Sequence, residues 1–459
     1  MLPLPLQGPI DFISLRWRFA HLRGERLHRY RAAAVARILT LAVERSAFYR
    51  ELYAGRDLGD VRSLPTIDKA RMMKAFDRLN TAGLKLDEAM AFALAAERDK
   101  NYLGYWRDRY VVGLSSGTSG ARGLYLTDRT ISQRLPFAFL ARSGMPWRLL
   151  PFRIAFFLRI FNQGFADING PLISLRYMPT MLALDDAIAR INELRANVLM
   201  GPPSMLRLLA RERTRITAPI GILVSYAEVL EEHERAMLER VFGVRVVEIY
   251  QASEGLIACP CRAGRLHINE DLMFVELLDE HGHELETTGQ PCRRMLVTNL
   301  YNEVQPLIRY ELNDLVALGP PCECGSAFRV IAKVIGRDDD ILYFPRSDGA
   351  LGHVFPDVVS RWIITASEHI DEYMVEQPSP GQLVVAIELA ANAEAEDVMA
   401  RVRQSMQLGL AEHGLAARSI EFRVGPVTRG SGKYKRFRRG FPPPLASRET
   451  AHRPPGQNS

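Results

Sequence analysis

The sequence predicts an α/β protein: a large N-terminal α/β domain with a β subdomain, followed by a small, mobile C-terminal α+β lid. Three observations predict it. Between residues 181 and 250, helical periodicity alternates with short β-rich runs, the rhythm of helices covering a sheet. From about 266 the pattern changes to short strands and turns, as in "DLMFVELLDEHGHEL" and "RMLVTNL", which suits antiparallel strands. After "GRDDD" (336–340) a strand–helix–strand rhythm follows, and its span suits a separate small domain.

These breaks divide the 459 residues into a body over 1–338, with its β subdomain at about 266–335, and a lid over 339–440. The remaining 441–459, rich in proline and polar residues, reads as a disordered tail. Apolar residues are 47% and charged residues 24%, the balance of a soluble globular protein. A net charge of +6 is modest and does not call for nucleic acid or membrane. The opening "MLPLPLQGPIDF" has no basic start and an early Asp11, unlike a secretory signal. The expected location is the cytoplasm, where five cysteines form no disulfide framework.

The elements follow in order. "LHRYRAAAVARILTLAVERSAFYREL" (27–52) has the spacing of an amphipathic helix. "LPTIDKARMM" (64–73) reads as a loop feeding a helix, with Asp68 as N-cap. "RYVVGL" (109–114) is β-rich and "LYLT" (124–127) is a returning strand. "WRLLPFRIAFFLRIF" (147–161) is interrupted by Arg148, Arg153 and Arg159. It therefore reads as a partly buried helix or strand pair and not as a membrane span. Helices are expected over 181–198, over 204–213 with Ser204 as N-cap, and over 230–242. Strands are expected at 220–228 and 244–250. In the lid, "QLVVAIELA" (382–390) and "SIEFRVG" (419–425) read as strands around a helix stopped near Gly414.

Three stretches carry chemistry. "SSGTSGARG" (115–123) follows a strand, and its glycines and hydroxyls suit an anion-binding nest, although a surface turn would look the same. It lacks the Walker A pattern. Cys259 and Cys261 in "CPC", His267, and Cys322 and Cys324 in "CECG" offer five soft or borderline donors, of which four satisfy tetrahedral zinc. A set of reduced thiols is the alternative, and Cys292 stands apart as a structural residue. "RGSGKYKRFRRG" (429–440) is basic. With no supporting fold it reads as a solvated loop, and no nucleic-acid partner is expected.

Six stretches in order resemble motifs of the adenylate-forming, acyl/aryl-CoA synthetase superfamily. They are "SSGTSG" (115–120), "VSYAEVL" (224–230), "IYQASEG" (249–255), "PLIRYELNDL" (306–315), "IGRDDDIL" (335–342) and "GSGKYKRF" (430–437). "SAFYRELY" (46–53), "LPTIDKARM" (64–72) and "HVFP" (353–356) resemble its phenylacetate–CoA ligase-like branch. The overall pattern is most similar to a group known only as adenylate-forming enzymes. The resemblance implies activation of a small carboxylic acid, R–COO⁻ + ATP → R–CO–AMP + pyrophosphate, then transfer to coenzyme A. An amine, a carrier-protein thiol or another coenzyme is the alternative acceptor. A degenerate nucleotide-binding module and a basic-patch membrane or RNA binder are the readings without catalysis.

The resemblance also implies roles. Ser115, Ser116, Gly117, Thr118, Ser119 and Gly120 hold the ATP phosphates, with Arg122 beside them. Glu254 ligates magnesium and Ser253 donates to the α-phosphate. Tyr226, Ala227 and Glu228 line the adenine pocket, near Tyr250 and Gln251. Asp314 accepts from the ribose hydroxyls, Arg337 meets ribose or phosphate, and Asp339 is the hinge. Lys433 is the mobile catalytic lysine, preferred to Lys435 because it follows Gly432. The branch also has a Cys, a nearby His and a downstream Cys-x-Cys in these places, which implies a structural zinc with either Cys259 or Cys261 as one ligand. Three positions depart from the family pattern. Ala121-Arg122-Gly123 replaces Pro-Lys-Gly. Asn313 replaces the Gly before the ribose Asp, where a left-handed turn would suit it. Tyr226 replaces a small residue and narrows the acyl site. A homodimer is compatible with all of this.

Overall fold

The computed structural model describes residues 4–99, 101, 103–114, 123–158, 162–180, 182–285, 287–337, 340–367, 369–390, 393–427 and 435–442. Helix α1 (Leu4–His21) precedes α2 (Gly24–Arg45) and α3 (Ala47–Leu52). The helical spacing over 27–52 is therefore broken once. Ser46 has extended backbone angles, and its side chain accepts from the Tyr49 N–H at 3.3 Å, so it caps a new helix. The sequence reading has no counterpart for α1, which carries Pro9 in its second turn.

Strands β1 (Tyr110–Leu114) and β2 (Leu124–Asp128) pair antiparallel, with Leu114 opposite Leu124. The small-residue run between them, 115–122, lies outside the described residues.

A five-stranded parallel sheet has the order β4-β3-β5-β6-β7. Its strands are β3 (Phe152–Leu158), β4 (Ile173–Pro179), β5 (Val198–Gly201), β6 (Ile222–Ser225) and β7 (Val246–Glu248). Within the stretch at 147–161, Trp147–Leu149 form a short turn and Phe152–Leu158 a strand, and 159–161 lie outside the described residues. Helices α4 (Leu184–Leu194), α5 (Pro203–Arg211) and α6 (Glu232–Phe242) join the strands. β5 and β6 are buried at every position, as expected for strands covered on both faces. Phe157 joins the helices' core with Leu206, Leu209 and Leu238. Its neighbour Phe156 points to the other face, with Ile154, Val198 and Val224.

Helix α4 is shorter than its periodicity suggests. Arg195 takes a left-handed φ of 48° and ends it, and Val198 already belongs to β5. Ser204 is not the N-cap of α5. Pro202 is, with Pro203 in the first turn, where proline costs no hydrogen bond.

After Glu248 the chain leaves the parallel sheet and re-enters as β8 (Tyr250–Ala252) of an antiparallel sheet ordered β14-β15-β10-β9-β8. The other strands are β9 (Gly255–Pro260), β10 (Leu266–Ile268), β14 (Asp314–Gly319) and β15 (Val330–Arg337). A smaller sheet joins β11 (Met273–Leu278), β12 (Arg294–Asn299) and β13 (Tyr310–Leu312). The antiparallel part therefore starts near 250, earlier than the turn-rich sequence from about 266 indicates. Its core includes Ile38, Leu39 and Tyr49 of α2 and α3.

From Leu342 the chain builds a core of its own, which includes Phe344, Ile363, Val375, Val385, Val402 and Phe437. Its elements are β16 (Leu342–Pro345), β17 (Leu351–Val354), α7 (Pro356–Ile364), β18 (Ile370–Ser379), β19 (Gln382–Leu389), α8 (Ala395–Glu412), β20 (Ser419–Val424) and β21 (Phe437–Arg439). The main sheet is β20-β19-β18-β21. The fold is a mixed α/β body with a smaller α+β C-terminal part, as the sequence predicts. No helix among the described residues is long and apolar enough to cross a membrane.

Candidate active site

A cavity of about 980 Å³ opens at the carboxyl ends of the parallel strands, lined there by Leu158, Pro202, Ser225 and Glu248. Ligands of open α/β sheets gather at this edge. The β1–β2 hairpin contributes Gly113 and Tyr125, and the C-terminal part contributes Lys435, Arg436 and Phe437. The cavity also takes in Tyr226, Ala227, Glu228, Tyr250, Gln251, Ser253, Glu254, Asp314 and Arg337. Residues separated by more than three hundred positions, such as Gly113 and Phe437, thus share one cleft. Ser115, Ser116, Gly117, Thr118, Ser119, Gly120, Arg122, Asp339 and Lys433 lie outside the described residues.

Glu254 sits in the tight turn between β8 and β9. Gly255 beside it has φ +154°, and a Cβ there would lie 2.8 Å from Met273 Sδ and 3.0 Å from Asn299 Nδ2. Only glycine fits that corner, which aims Glu254 into the cleft. The carboxylate accepts from the Tyr125 hydroxyl at 2.6 Å, and that hydroxyl lies 3.1 Å from the Tyr310 hydroxyl. The Glu254 carbonyl accepts from Asn299 Nδ2 at 2.8 Å. Among the described residues no cation pairs with Glu254, and burial pushes its pKa above the usual carboxylate range. Neither tyrosine was singled out in the sequence. Tyr310 does fall inside the "PLIRYELNDL" stretch, but nothing marks Tyr125.

Asp314 opens β14 directly opposite Arg337 at the end of β15. The Arg337 Nε lies 3.2 Å from Asp314 Oδ1, and the Tyr250 hydroxyl donates to Asp314 Oδ2 at 2.6 Å. Burial opposes the Arg337 charge, but Asp314 and Asp340 outweigh it and raise the pKa. Asn313 does not take a positive φ, so the left-handed turn expected there is absent and a side chain meets no strain. The left-handed residue of this stretch is Arg309, at φ 47°.

Tyr226 is buried at the cleft floor. Its ring stacks on Phe156 at 5.3 Å, and its hydroxyl donates to the Phe157 carbonyl. Ala227 follows with φ 68°, a costly angle for a residue with a Cβ. Glu228 accepts from the Ser204 N–H at 3.2 Å and from its hydroxyl at 3.1 Å. The carboxylate therefore serves the start of α5, the place the sequence assigns to Ser204 alone. Gln251 and Ser253 are exposed on the cleft wall.

The far wall comes from the C-terminal part. Lys435 Nζ lies 3.1 Å from Asp340 Oδ1. Arg436 reaches Glu234 of α6 at 2.7 Å and Glu372 of β18 at 3.1 Å. Arg207 of α5 meets Glu234 at 3.2 Å and also pairs with Glu372. The two arginines and two glutamates form a nearly buried cluster that joins the body to the C-terminal part. Sequence inspection misses it because its members are far apart.

Of the cysteines, Cys261, Cys322 and Cys324 converge with His267, all four donor atoms lying within 4.8 Å of one another. Cys261 Sγ is 3.7 Å from Cys322 Sγ, and Cys324 Sγ is 3.5 Å from His267 Nε2. His267 Nδ1 faces the Phe328 carbonyl at 2.8 Å. A proton held there leaves Nε2 as the ligand atom. Cys259 does not join them. Its thiol accepts from Asn269 Nδ2 at 3.5 Å within the Phe156 core, and burial raises its pKa to about 11. Cys292 is fully buried and accepts from the Val316 N–H at 3.3 Å.

No family model matches the chain. The chain is similar to a phenylacetate-coenzyme A ligase of Aromatoleum evansii, 27% identical over 220 residues, 45% of this chain and 48% of that protein. It is also similar to protein CapK of Staphylococcus aureus, 23% identical over 228 residues, 48% of each. The chain spans about half the length of the curated relatives it matches. In structure it is similar to 2-hydroxyisobutyryl-CoA ligase in the postadenylation state, with a TM-score of 0.66 at 15% identity over 92% of this chain and 90% of that one. Against the same ligase in the thioesterification state the TM-score is 0.53. The chain has the two-part fold of adenylate-forming ligases, and its sequence resembles their phenylacetate–CoA ligase-like branch.

Proposed function

We propose that this chain activates a small carboxylic acid with ATP, forming an acyl-adenylate that then passes to coenzyme A. The observation that carries this reading is a single cleft. It gathers Glu254, the Asp314–Arg337 pair, the Tyr226–Glu228 turn and the root of the β1–β2 hairpin. Asp314 presents a carboxylate suited to two adjacent ribose hydroxyls. Arg337 holds that carboxylate in place and adds positive charge toward the phosphates. Tyr226 bounds the adenine and acyl space, and Ser115–Gly120 with Arg122 cradle the polyphosphate. Lys433 neutralises charge as the carboxylate attacks the α-phosphorus.

Magnesium fits Glu254: a buried carboxylate whose direct hydrogen-bond partner is a neutral hydroxyl has no ion pair among the described residues, and a hard cation would supply one. With ATP, the ion would neutralise phosphate charge. Zinc fits Cys261, His267, Cys322 and Cys324. Sulfurs about 2.3 Å from a tetrahedral centre lie about 3.8 Å apart, close to the 3.7 Å between Cys261 and Cys322. The ion would brace the turn after β9 against the 322–324 loop and take no part in catalysis. The cytoplasm suits a reaction that needs ATP and reduced thiols. An amine, a carrier-protein thiol or another coenzyme remains the alternative acceptor.

The test is acid-dependent ATP–pyrophosphate exchange, screened across aryl, fatty and amino acids with magnesium present. Exchange with one acid class supports adenylation whatever the acceptor. Folded protein that binds ATP but exchanges with no acid would replace this reading with a nucleotide-binding module.

A further inference from the structure

Helix α1 has two apolar faces. One is used: Leu15 is buried, and Gly8 packs on Phe137 so closely that a Cβ would overlap its ring. Arg18 pairs with Asp271 at 2.8 Å and Arg134 reaches Asp11 at 2.6 Å, so the helix is fixed to the body. The other face is open. Ile10, Ile13 and Trp17 are 47%, 65% and 50% exposed. Their spacing of three and four places them on one stripe. Trp147, 46% exposed, extends the patch. It meets Phe12 edge-on at 5.7 Å, and the Arg16 guanidinium lies 5.8 Å from its ring.

The patch runs into positive charge. Trp17 stacks on His21 at 5.3 Å. His21 lines a shallow hollow with Arg23, Arg26, Arg29 and Glu25. Residues 16–31 hold six arginines and one glutamate, and Arg16, Arg23, Arg26 and Arg29 are all exposed. Isolated exposed apolar residues need no explanation. A stripe of isoleucine and tryptophan continuous with an arginine hollow does.

We propose that α1 and its arginine hollow form a peripheral docking surface for an anionic lipid bilayer. Ile10, Ile13, Trp17 and Trp147 would enter the headgroup–acyl boundary, where tryptophan is favoured. Arg16, Arg23, Arg26 and Arg29 would meet lipid phosphates. The helix lies on the surface and does not cross it, consistent with its length and charge. Charge decides between a bilayer and a second copy of the chain. A two-fold contact that used this whole face would bury four exposed arginines from each copy against one exposed glutamate, Glu25, from each, whereas anionic headgroups neutralise them.

The test is co-sedimentation of the full chain with phosphatidylcholine vesicles, with and without phosphatidylglycerol. Emission of the tryptophans is read in parallel. Binding only to the anionic vesicles, a blue shift, and release by high salt are expected. Ile13→Ser/Trp17→Ser and Arg23→Ser/Arg26→Ser should each weaken vesicle binding by about tenfold or more while melting as the parent does. No binding to anionic vesicles, or equal binding by both variants, would overturn the proposal. So would sedimentation velocity showing a dimer that Ile13→Ser/Trp17→Ser converts to monomer, because a second copy would then own the face.

Discussion

At the scale of single residues, Glu254 is a buried carboxylate with neutral hydrogen-bond partners. Its ionised form is disfavoured in the folded chain, so its folded pKa lies above the unfolded value. Any stability it contributes is present at low pH and is lost as pH rises through the raised folded value. Without magnesium, Glu254→Gln should therefore melt progressively higher than the parent as the pH rises above the usual carboxylate range. Magnesium with ATP should close that gap by stabilising the parent only. The same variant should retain less than about one hundredth of the exchange rate. A folded variant with near-parental exchange would remove Glu254 from metal binding. The Tyr125 hydroxyl lowers the Glu254 pKa. Tyr125→Phe should accordingly move the acid limb of the exchange profile to higher pH. The two lysines of the final motif separate similarly. Lys435 is held by Asp340 at 3.1 Å, which gives it a structural partner. Lys433→Ala should slow adenylation on the order of 10²–10³, as removal of a preorganised charge does. Lys435→Ala should cost far less, and the opposite ranking would transfer the catalytic role to Lys435.

At the scale of elements, the four-donor cluster predicts about one zinc per chain by elemental analysis. Cys322→Ser and His267→Ala should lose it, whereas Cys259→Ser and Cys292→Ser should keep it. Zinc-free protein of undiminished stability would leave the cluster as four reduced side chains. Choosing Cys261 over Cys259 needed the structure, because "CPC" offers two identical thiols and only the turn to Arg265 carries Cys261 toward the 322–324 loop. The same limit recurs along the chain. Elements with strong periodicity were legible: β1, β2, β6, α6 and α8 fall where the residue pattern puts them. Their ends were not, because ends are set by local angles and distant partners. Arg195 turns left-handed, Ser46 restarts a helix, and Glu228 reaches back to the N-terminus of α5. That Glu254, Asp314 and Arg337 belong together was legible in the order of the motifs, and they do line one cleft. Their supports were not. Tyr125 meets Glu254 across 129 positions, and no spacing rule connects them.

At the scale of the whole molecule, the question is what holds the C-terminal part against the body and what releases it. In this arrangement Lys435, Arg436 and Phe437 line the cleft. The arrangement superposes better on the postadenylation state of the neighbouring ligase than on its thioesterification state. Arg207, Glu234, Glu372 and Arg436 form a nearly buried contact between the two parts. Removing one member of such a cluster strands a buried charge, at a cost of about 3–5 kcal/mol. If that cost falls on this pose alone, the pose loses on the order of 10²- to 10⁴-fold in population. Arg436→Met should therefore slow acyl-adenylate formation and leave transfer to the acceptor unimpaired in single-turnover measurements. Equal slowing of both steps would mean that the cluster stabilises the fold and not a pose. Release would require a pivot, and Asp339, which falls in sequence between β15 and β16, is the proposed one. Proline at 339 would fix φ near −65° and stop the rotation while leaving each part folded. Asp339→Pro should then spare one half-reaction and block the other, and combined with Arg436→Met it should add no further defect if both act on one equilibrium. Normal rates of both half-reactions in Asp339→Pro would show that the two parts do not alternate about this residue.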